Sequence, residues 1–123
     1  MNLTLLLGAV LGLTAVAAGA YAHHGIDPKD TLKVMSAVRL QQVHGLVIVA
    51  AGLAFYSNLP TGLKRKLEIV AGLFTLGIVL FSGNIYLIYF VGFKALSFLV
   101  PYGGMIVIAG WVVLMWAAVR HRV

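Results

Sequence analysis

The side chains able to do chemistry in this sequence are few, and they gather in three places. His23 and His24 stand together, Arg39, Gln41, Gln42 and His44 follow in a short run, and Ser82-Gly83-Asn84 interrupts an apolar stretch with Tyr86 and Tyr89 beyond it. An imidazole can exchange a proton near neutrality or bind a metal, amides and hydroxyls donate and accept hydrogen bonds, and Arg39 brings a fixed charge. Gln41 and His44 are three residues apart, which puts both on one face of a helix. The carboxylates Asp27, Asp30 and Glu68 fall outside the apolar stretches and too far apart to form an acid and base pair. Cysteine is absent, so neither a disulfide framework nor a thiolate metal site is possible.

The elements that must position these groups follow from composition. Of 123 residues, 62% are hydrophobic and 10% charged, against about 45–50% and about 25% in ordinary soluble domains. A soluble globular protein is excluded. The net charge of +6 sits in four short clusters rather than along a stripe, which argues against a nucleic-acid partner. Met1 to Ala22, Val43 to Leu59, Ile69 to Phe93 and Ala95 to Val119 are almost free of charge, and each approaches the roughly 20 residues that cross a hydrocarbon core of about 30 Å. The chain is therefore an all-α bundle of four transmembrane helices in a single domain, 1–123, with spans over 2–22, 40–59, 68–92 and 97–119. The first stretch reads as a span rather than a signal peptide. Met-Asn-Leu-Thr carries no Lys or Arg, and the run exceeds the usual apolar region of about 7–15 residues.

Only the first connection is long. Asp27 can cap a helix, Pro28 loses nothing at its first position and Asp30 complements the dipole, so a helix is expected to start near Pro28 and continue into the second span. Run to Ser57 it would be about 45 Å long, so its first turns are expected to stand in the interface, bend along it or enter at a slant. Asn58-Leu59-Pro60-Thr61-Gly62 ends it, Gly92-Phe93-Lys94 joins helices three and four, and Pro101 falls in the first turns of the last helix. Gly8, Gly12, Gly19, Gly45, Gly52, Gly103, Gly104 and Gly110 are expected to serve helix packing, because small residues let backbones approach where lipid offers no hydrophobic drive. Trp111 and Trp116 are expected in packing or aromatic belts, and His121 as a solvated residue at the interface.

On this layout His23 and His24 close helix one, Arg39 to His44 open helix two, and Ser82 to Asn84 return toward the same surface. A polar cluster of His24, Arg39, Gln41, His44, Ser82 and Asn84 is expected at one depth near one membrane surface. It can be an interhelical hydrogen-bond network or a small polar pocket for an ion, a water chain or a headgroup, and the residue types leave both open. Two histidines supply too few ligands for a secure metal or haem site, so no metal and no cofactor is expected.

Four segments, Gly19-Ala20-Tyr21-Ala22-His23-His24-Gly25-Ile26, Arg39-Leu40-Gln41-Gln42-Val43-His44, Leu80-Phe81-Ser82-Gly83-Asn84-Ile85-Tyr86-Leu87 and Pro101-Tyr102-Gly103-Gly104 with Ala109-Gly110-Trp111, carry a resemblance. In this order the chain resembles the domain-of-unknown-function 423 family of small membrane proteins. It departs from the usual family pattern in the extra His23, in Leu40 where the family has Tyr and in Asn84 where it has Ser. The resemblance implies a four-helix protein of the bacterial inner membrane, brings no established reaction, and singles out His24, Gln41, His44, Ser82 and Asn84.

The expected function is that of a non-enzymatic structural or accessory subunit among membrane lipids, packing through glycine-rich faces onto itself or onto a larger membrane complex. The alternative is a small-solute or ion transporter or channel that uses the polar cluster. Lys64, Arg65, Lys66, Arg120 and Arg122 share one face, against Lys29, Lys33, Arg39 and Lys94 on the other, a bias that places both termini in the cytoplasm. A reporter active only outside the cytoplasm, fused after Val123, should therefore stay silent. An active fusion would invert the orientation.

Overall fold

A computed structural model describes residues 1–123. It contains four helices long and apolar enough to cross a membrane: α1 (Leu3–His24), α2 (Pro28–Ala54), α3 (Thr61–Val91) and α4 (Ser97–Arg120). No strand is present. The helices form two antiparallel hairpins, α1 with α2 and α3 with α4, joined mainly through α2 and α3.

Local chemistry sets the ends. The Asn2 side chain accepts a hydrogen bond from Leu5 N and donates to Gly52 O at 2.8 Å, so one residue caps α1 and ties it to the end of α2. Asp27 caps α2 through Lys29 N, with Pro28 at the first position as expected. Thr31 Oγ donates to Ala22 O, which closes the turn from α1 into α2. The first turns of α2 do not lie along the interface. Val34 and Val38 are fully buried with Ala18 and Ala22 of α1, next to Ile85, Tyr86, Tyr89 and Phe90 of α3. α2 ends at Ala54 rather than Ser57, where bonds reaching back three residues, from Phe55 N to Gly52 O and Tyr56 N to Leu53 O, close the last turn.

Ser82-Gly83-Asn84 does not break the third helix. α3 runs through it by widening into π-helical turns at Val79–Gly83 and Leu87–Val91 on either side of Asn84–Tyr86. Its end is sharp. Gly92 has φ +83° in the left-handed region, Gly92 N bonds to Ile88 O, and Phe93 N bonds back to Leu87 O at 2.9 Å, the wrap that glycine makes possible at a helix terminus. α4 opens with a tight turn at Ser97–Leu99, and Pro101 sits at the start of its regular part without breaking it.

The apolar core lies where α2, α3 and α4 meet. Phe74 is its largest fully buried side chain, surrounded by Ile48, Val70, Ala71, Ile78 and Val107. Glycines bring the backbones together at two seams. A Cβ on Gly8 would come within 2.7 Å of the Val49 backbone, and one on Gly52 within 2.6 Å of the Leu5 backbone, so α1 and α2 touch main chain to main chain. Gly103 lies as close to Phe81 N, and Gly110 is covered by the Phe74 ring. Gly45 and Gly19 make looser contacts with Leu11 and Val38. Within the protomer Gly12 and Gly104 have open space, because a Cβ on either would meet nothing within 4 Å.

Adding one methyl at the tight seam should force the helices apart. Gly52→Ala is expected to destabilise the bundle by about 1–3 kcal/mol, whereas Gly12→Ala should be neutral or stabilise it by up to about 1 kcal/mol through helix propensity. Thermal unfolding of both variants in the same detergent checks the contrast.

Candidate functional site

Gln41 stands at the centre of the polar residues. Its Nε2 donates to Leu11 O at 2.8 Å and to Thr14 Oγ1 at 2.7 Å, both on α1. Its Oε1 accepts from Tyr86 OH on α3 at 2.6 Å. One buried amide therefore links three helices, and Thr14 passes the chain on to Val10 O. Four residues earlier on the same face of α2, Ala37 O accepts from Ser82 Oγ of α3 at 2.7 Å. Ser82 is fully buried, so its hydroxyl is satisfied by a main-chain carbonyl of another helix.

His44, one turn further along, looks toward α4. Nδ1 is 2.7 Å from Leu40 O, and Trp111 Nε1 lies 2.8 Å from Nε2. A carbonyl can only accept and an indole N–H can only donate, so the bonds select the neutral ring with its proton on Nδ1. The single lone pair of that tautomer is taken by Trp111. Phe74 packs edge-on to the imidazole with centroids 4.7 Å apart and also meets the Trp111 ring at 5.3 Å, so the three rings form one aromatic cluster.

The structure brings together Gln41, His44 and Ser82 along one side of α2 and leaves three expected members out. His24 is exposed at the end of α1. α1 and α2 run antiparallel with Ala22 beside Thr31 and Leu11 beside Gln41, which separates the levels of His24 and His44 by about 20 Å at about 1.5 Å per residue. The cluster is therefore at mid-bundle and not near a membrane surface. Arg39 is exposed, because a residue two positions from Gln41 points to the opposite side of the helix. Asn84 is buried, but its amide turns back to Leu80 O of its own helix at 2.7 Å, inside the widened turn.

Thr14 was not singled out from sequence, and Tyr86 and Trp111 were named but not counted in the cluster. Thr14 is a polar residue in the middle of α1, far from either end, and that isolation is its signal. Trp111 lies midway along α4, deeper than an aromatic belt. Tyr86 follows Ser82 at helical spacing. The arrangement holds amide, hydroxyl, imidazole and indole groups with no carboxylate, and no buried side-chain nitrogen or oxygen lacks a partner. No group of three or more His, Asp or Glu converges anywhere in the chain.

At the end of the bundle where α3 begins, His121 is partly buried rather than freely solvated, and its Nε2 lies 3.2 Å from Lys66 Nζ. An ammonium can only donate, so Nε2 accepts; desolvation and the nearby charges of Lys66 and Arg120 hold the imidazole below the ordinary histidine range. Lys66 also lies 4.4 Å from the centre of the Trp116 ring, which anchors the cation beside α4.

Fold and site together define a four-span helical membrane protein closed around a neutral polar network. Residues 18–104 match the family described as Protein of unknown function (DUF423), and the chain belongs to that family. It is similar to a UPF0382 membrane protein of Staphylococcus haemolyticus, 32% identical over 94% of this chain and 93% of the relative. It is also similar to the UPF0382 membrane protein YwdK of Bacillus subtilis, 30% identical over 98% of this chain and 99% of the relative. The UPF0382 inner membrane protein YgdD of Escherichia coli is 29% identical over 96% of this chain and 90% of its own length. No solved structure matches.

If the network serves stability, removing one partner should strand the other. His44→Leu leaves the Trp111 indole without its acceptor and should cost about 1–3 kcal/mol, while His44→Gln, which keeps an acceptor, should cost clearly less. Adding Trp111→Phe to His44→Leu should recover part of the loss in a double-mutant cycle followed by thermal unfolding. A Gln variant as unstable as the Leu variant would mean that the imidazole does more than hydrogen-bond.

Proposed function

We propose that the protein is a non-enzymatic integral membrane subunit, structural or accessory in role, that docks through its outward helix faces onto itself or onto a larger membrane complex. The observation that carries this reading is the closure of the polar network. Every buried polar side-chain atom at the centre already has a partner, and the bonds of Gln41, Tyr86, Ser82 and Trp111 run between helices. The two cavities that do occur are on the outside of the bundle, one beside Asn2, Phe55, Lys64 and Glu68 and one between α1 and α2. Neither is lined by Gln41, His44 or Ser82, which weighs against the transporter or channel reading. The outer helices α1 and α4 are mostly exposed along their lengths, so much of the surface is available to lipid or to partners. The bias of Lys and Arg supports cytoplasmic termini, and the name of the Escherichia coli relative supports an inner-membrane location.

Gentle solubilisation followed by sizing and identification of co-purifying chains should yield a particle larger than the 13.2 kDa protomer with its detergent. Vesicles containing the protein alone should show no flux of ions or small solutes. A strictly monomeric particle without partners would overturn the subunit reading, and flux that depends on Gln41 or Tyr86 would favour the channel.

A further inference from the structure

At the end of the bundle where α3 begins and α4 closes, cations gather without counter-charge. Lys64, Arg65, Lys66, Arg120 and Arg122 share this end with a single carboxylate, Glu68, and α3 opens with no acidic residue in its first turn. Glu68 pairs with none of them, because the chain's one ion pair joins Lys29 to Asp27 at the opposite end. Lys66 is the most enclosed of the five. Partly buried, it lies 3.2 Å from His121 Nε2 and 4.4 Å from the centre of the Trp116 ring. Both polar groups sit over Gly62, where a Cβ would come within 3.2 Å of the imidazole and 3.9 Å of Nζ.

An ammonium is thus held between a neutral nitrogen and a ring face, and neither supplies a negative charge to balance it. The charged groups that face His121 are Lys66 of α3 and Arg120 at the end of α4, and no carboxylate lies within ion-pair distance of it. Trp116 fixes the depth. It is 54% exposed and four residues before the end of α4, about 6 Å inside the last helical level, where aromatic belts mark the headgroup boundary. Lys66 and His121 therefore stand at the level of lipid phosphates.

We propose that Lys66, His121 and Arg120 form a seat for the phosphate of an anionic phospholipid headgroup. Without phosphate, His121 stays neutral so that Nε2 can accept from Lys66, and the two cations beside it resist a third charge. A phosphate oxygen between Nζ and Nε2 reverses that balance. His121 then takes a proton from solvent and donates to the oxygen, while Lys66 exchanges its bond to the imidazole for a charge-assisted bond to the same phosphate. Headgroup and proton bind together, and each raises the affinity for the other by the same factor. A headgroup with net negative charge is favoured over a zwitterionic one, whose ammonium would meet Lys66 and Arg120. The site is independent of the subunit reading, since it takes lipid at one end of the bundle and uses no docking face.

Full-length protein labelled at histidine is titrated by NMR in maltoside micelles, in the same micelles with phosphatidylglycerol or phosphatidylcholine, and in micelles with inorganic phosphate alone. The His121 signal is assigned by its loss in His121→Gln. Phosphatidylglycerol should raise the His121 midpoint by about one pH unit, an approximately tenfold gain in proton affinity. It should move His23 and His24 clearly less, because these are exposed at the opposite end and report only general surface charge. Phosphatidylcholine and inorganic phosphate should each have a smaller effect on His121 than phosphatidylglycerol. Lys66→Gln should raise the midpoint in maltoside alone, by removing a neighbouring charge, and abolish the further rise with phosphatidylglycerol, whereas Lys66→Arg should keep that rise. The His44 signal, fixed by Leu40 O and Trp111, should stay unchanged in each variant and shows the bundle intact. Equal movement of His121 and His24 would leave only a charged surface and overturn the site. So would a full response to inorganic phosphate, which would remove the lipid, or a phosphatidylglycerol response that survives Lys66→Gln.

Discussion

The Gln41 amide is the constraint on which the rest of the bundle depends. It stands where water does not reach, and in hydrocarbon an unpaired amide is far more costly than any single apolar contact is favourable. Two helices answer it: α1 with Leu11 O and Thr14, and α3 with Tyr86, around a residue that α2 itself supplies. These bonds fix the level of α1 against α2 and of α3 against α2. Once those registers are set, Gly8 meets Val49, Gly52 meets Leu5, and Ser82 reaches Ala37 O.

Packing then does what hydrophobicity does in water. Lipid tails are as apolar as leucine, so helices gain little by hiding apolar surface from them, and close backbone contact with dispersion takes over. That is why the α1 and α2 seam is a glycine seam, and why Gly103 sits against the backbone of α3. The π-helical turns of α3 belong to the same logic. They carry the helix past Ser82 and Asn84 without a break while Ser82 bonds across to α2 and Asn84 bonds to Leu80 O of its own helix. On the far side α4 is held by Phe74, Val107 and the bond from Trp111 to His44.

The chemistry of this interior is uniformly neutral. Amide, hydroxyl, imidazole and indole groups meet with donors matched to acceptors and without a charged side chain among them; Lys66 with His121 and Lys29 with Asp27 lie at the ends, and Arg39 points outward from α2. Membership of the DUF423 family and the likeness to UPF0382 membrane proteins of Staphylococcus, Bacillus and Escherichia place the chain among small membrane proteins.

By itself the sequence determined the four spans, because composition and length alone decide whether a segment can replace water with lipid. It also determined the cap at Asp27, the start at Pro28 and the turn at Gly92, since these follow from neighbouring residues. It pointed to Gln41, His44 and Ser82, because polar side chains in apolar runs need partners. It misplaced His24 and Arg39 by treating nearness in sequence to the start of the second span as equal depth. Only the antiparallel register of α1 and α2, a property of the assembled hairpin, put Gln41 beside Leu11 and carried His24 to the surface. The roles of Thr14 and Trp111 were likewise decided by tertiary structure, since a hydroxyl or an indole in an apolar helix shows a need for a partner but not which helix will meet it.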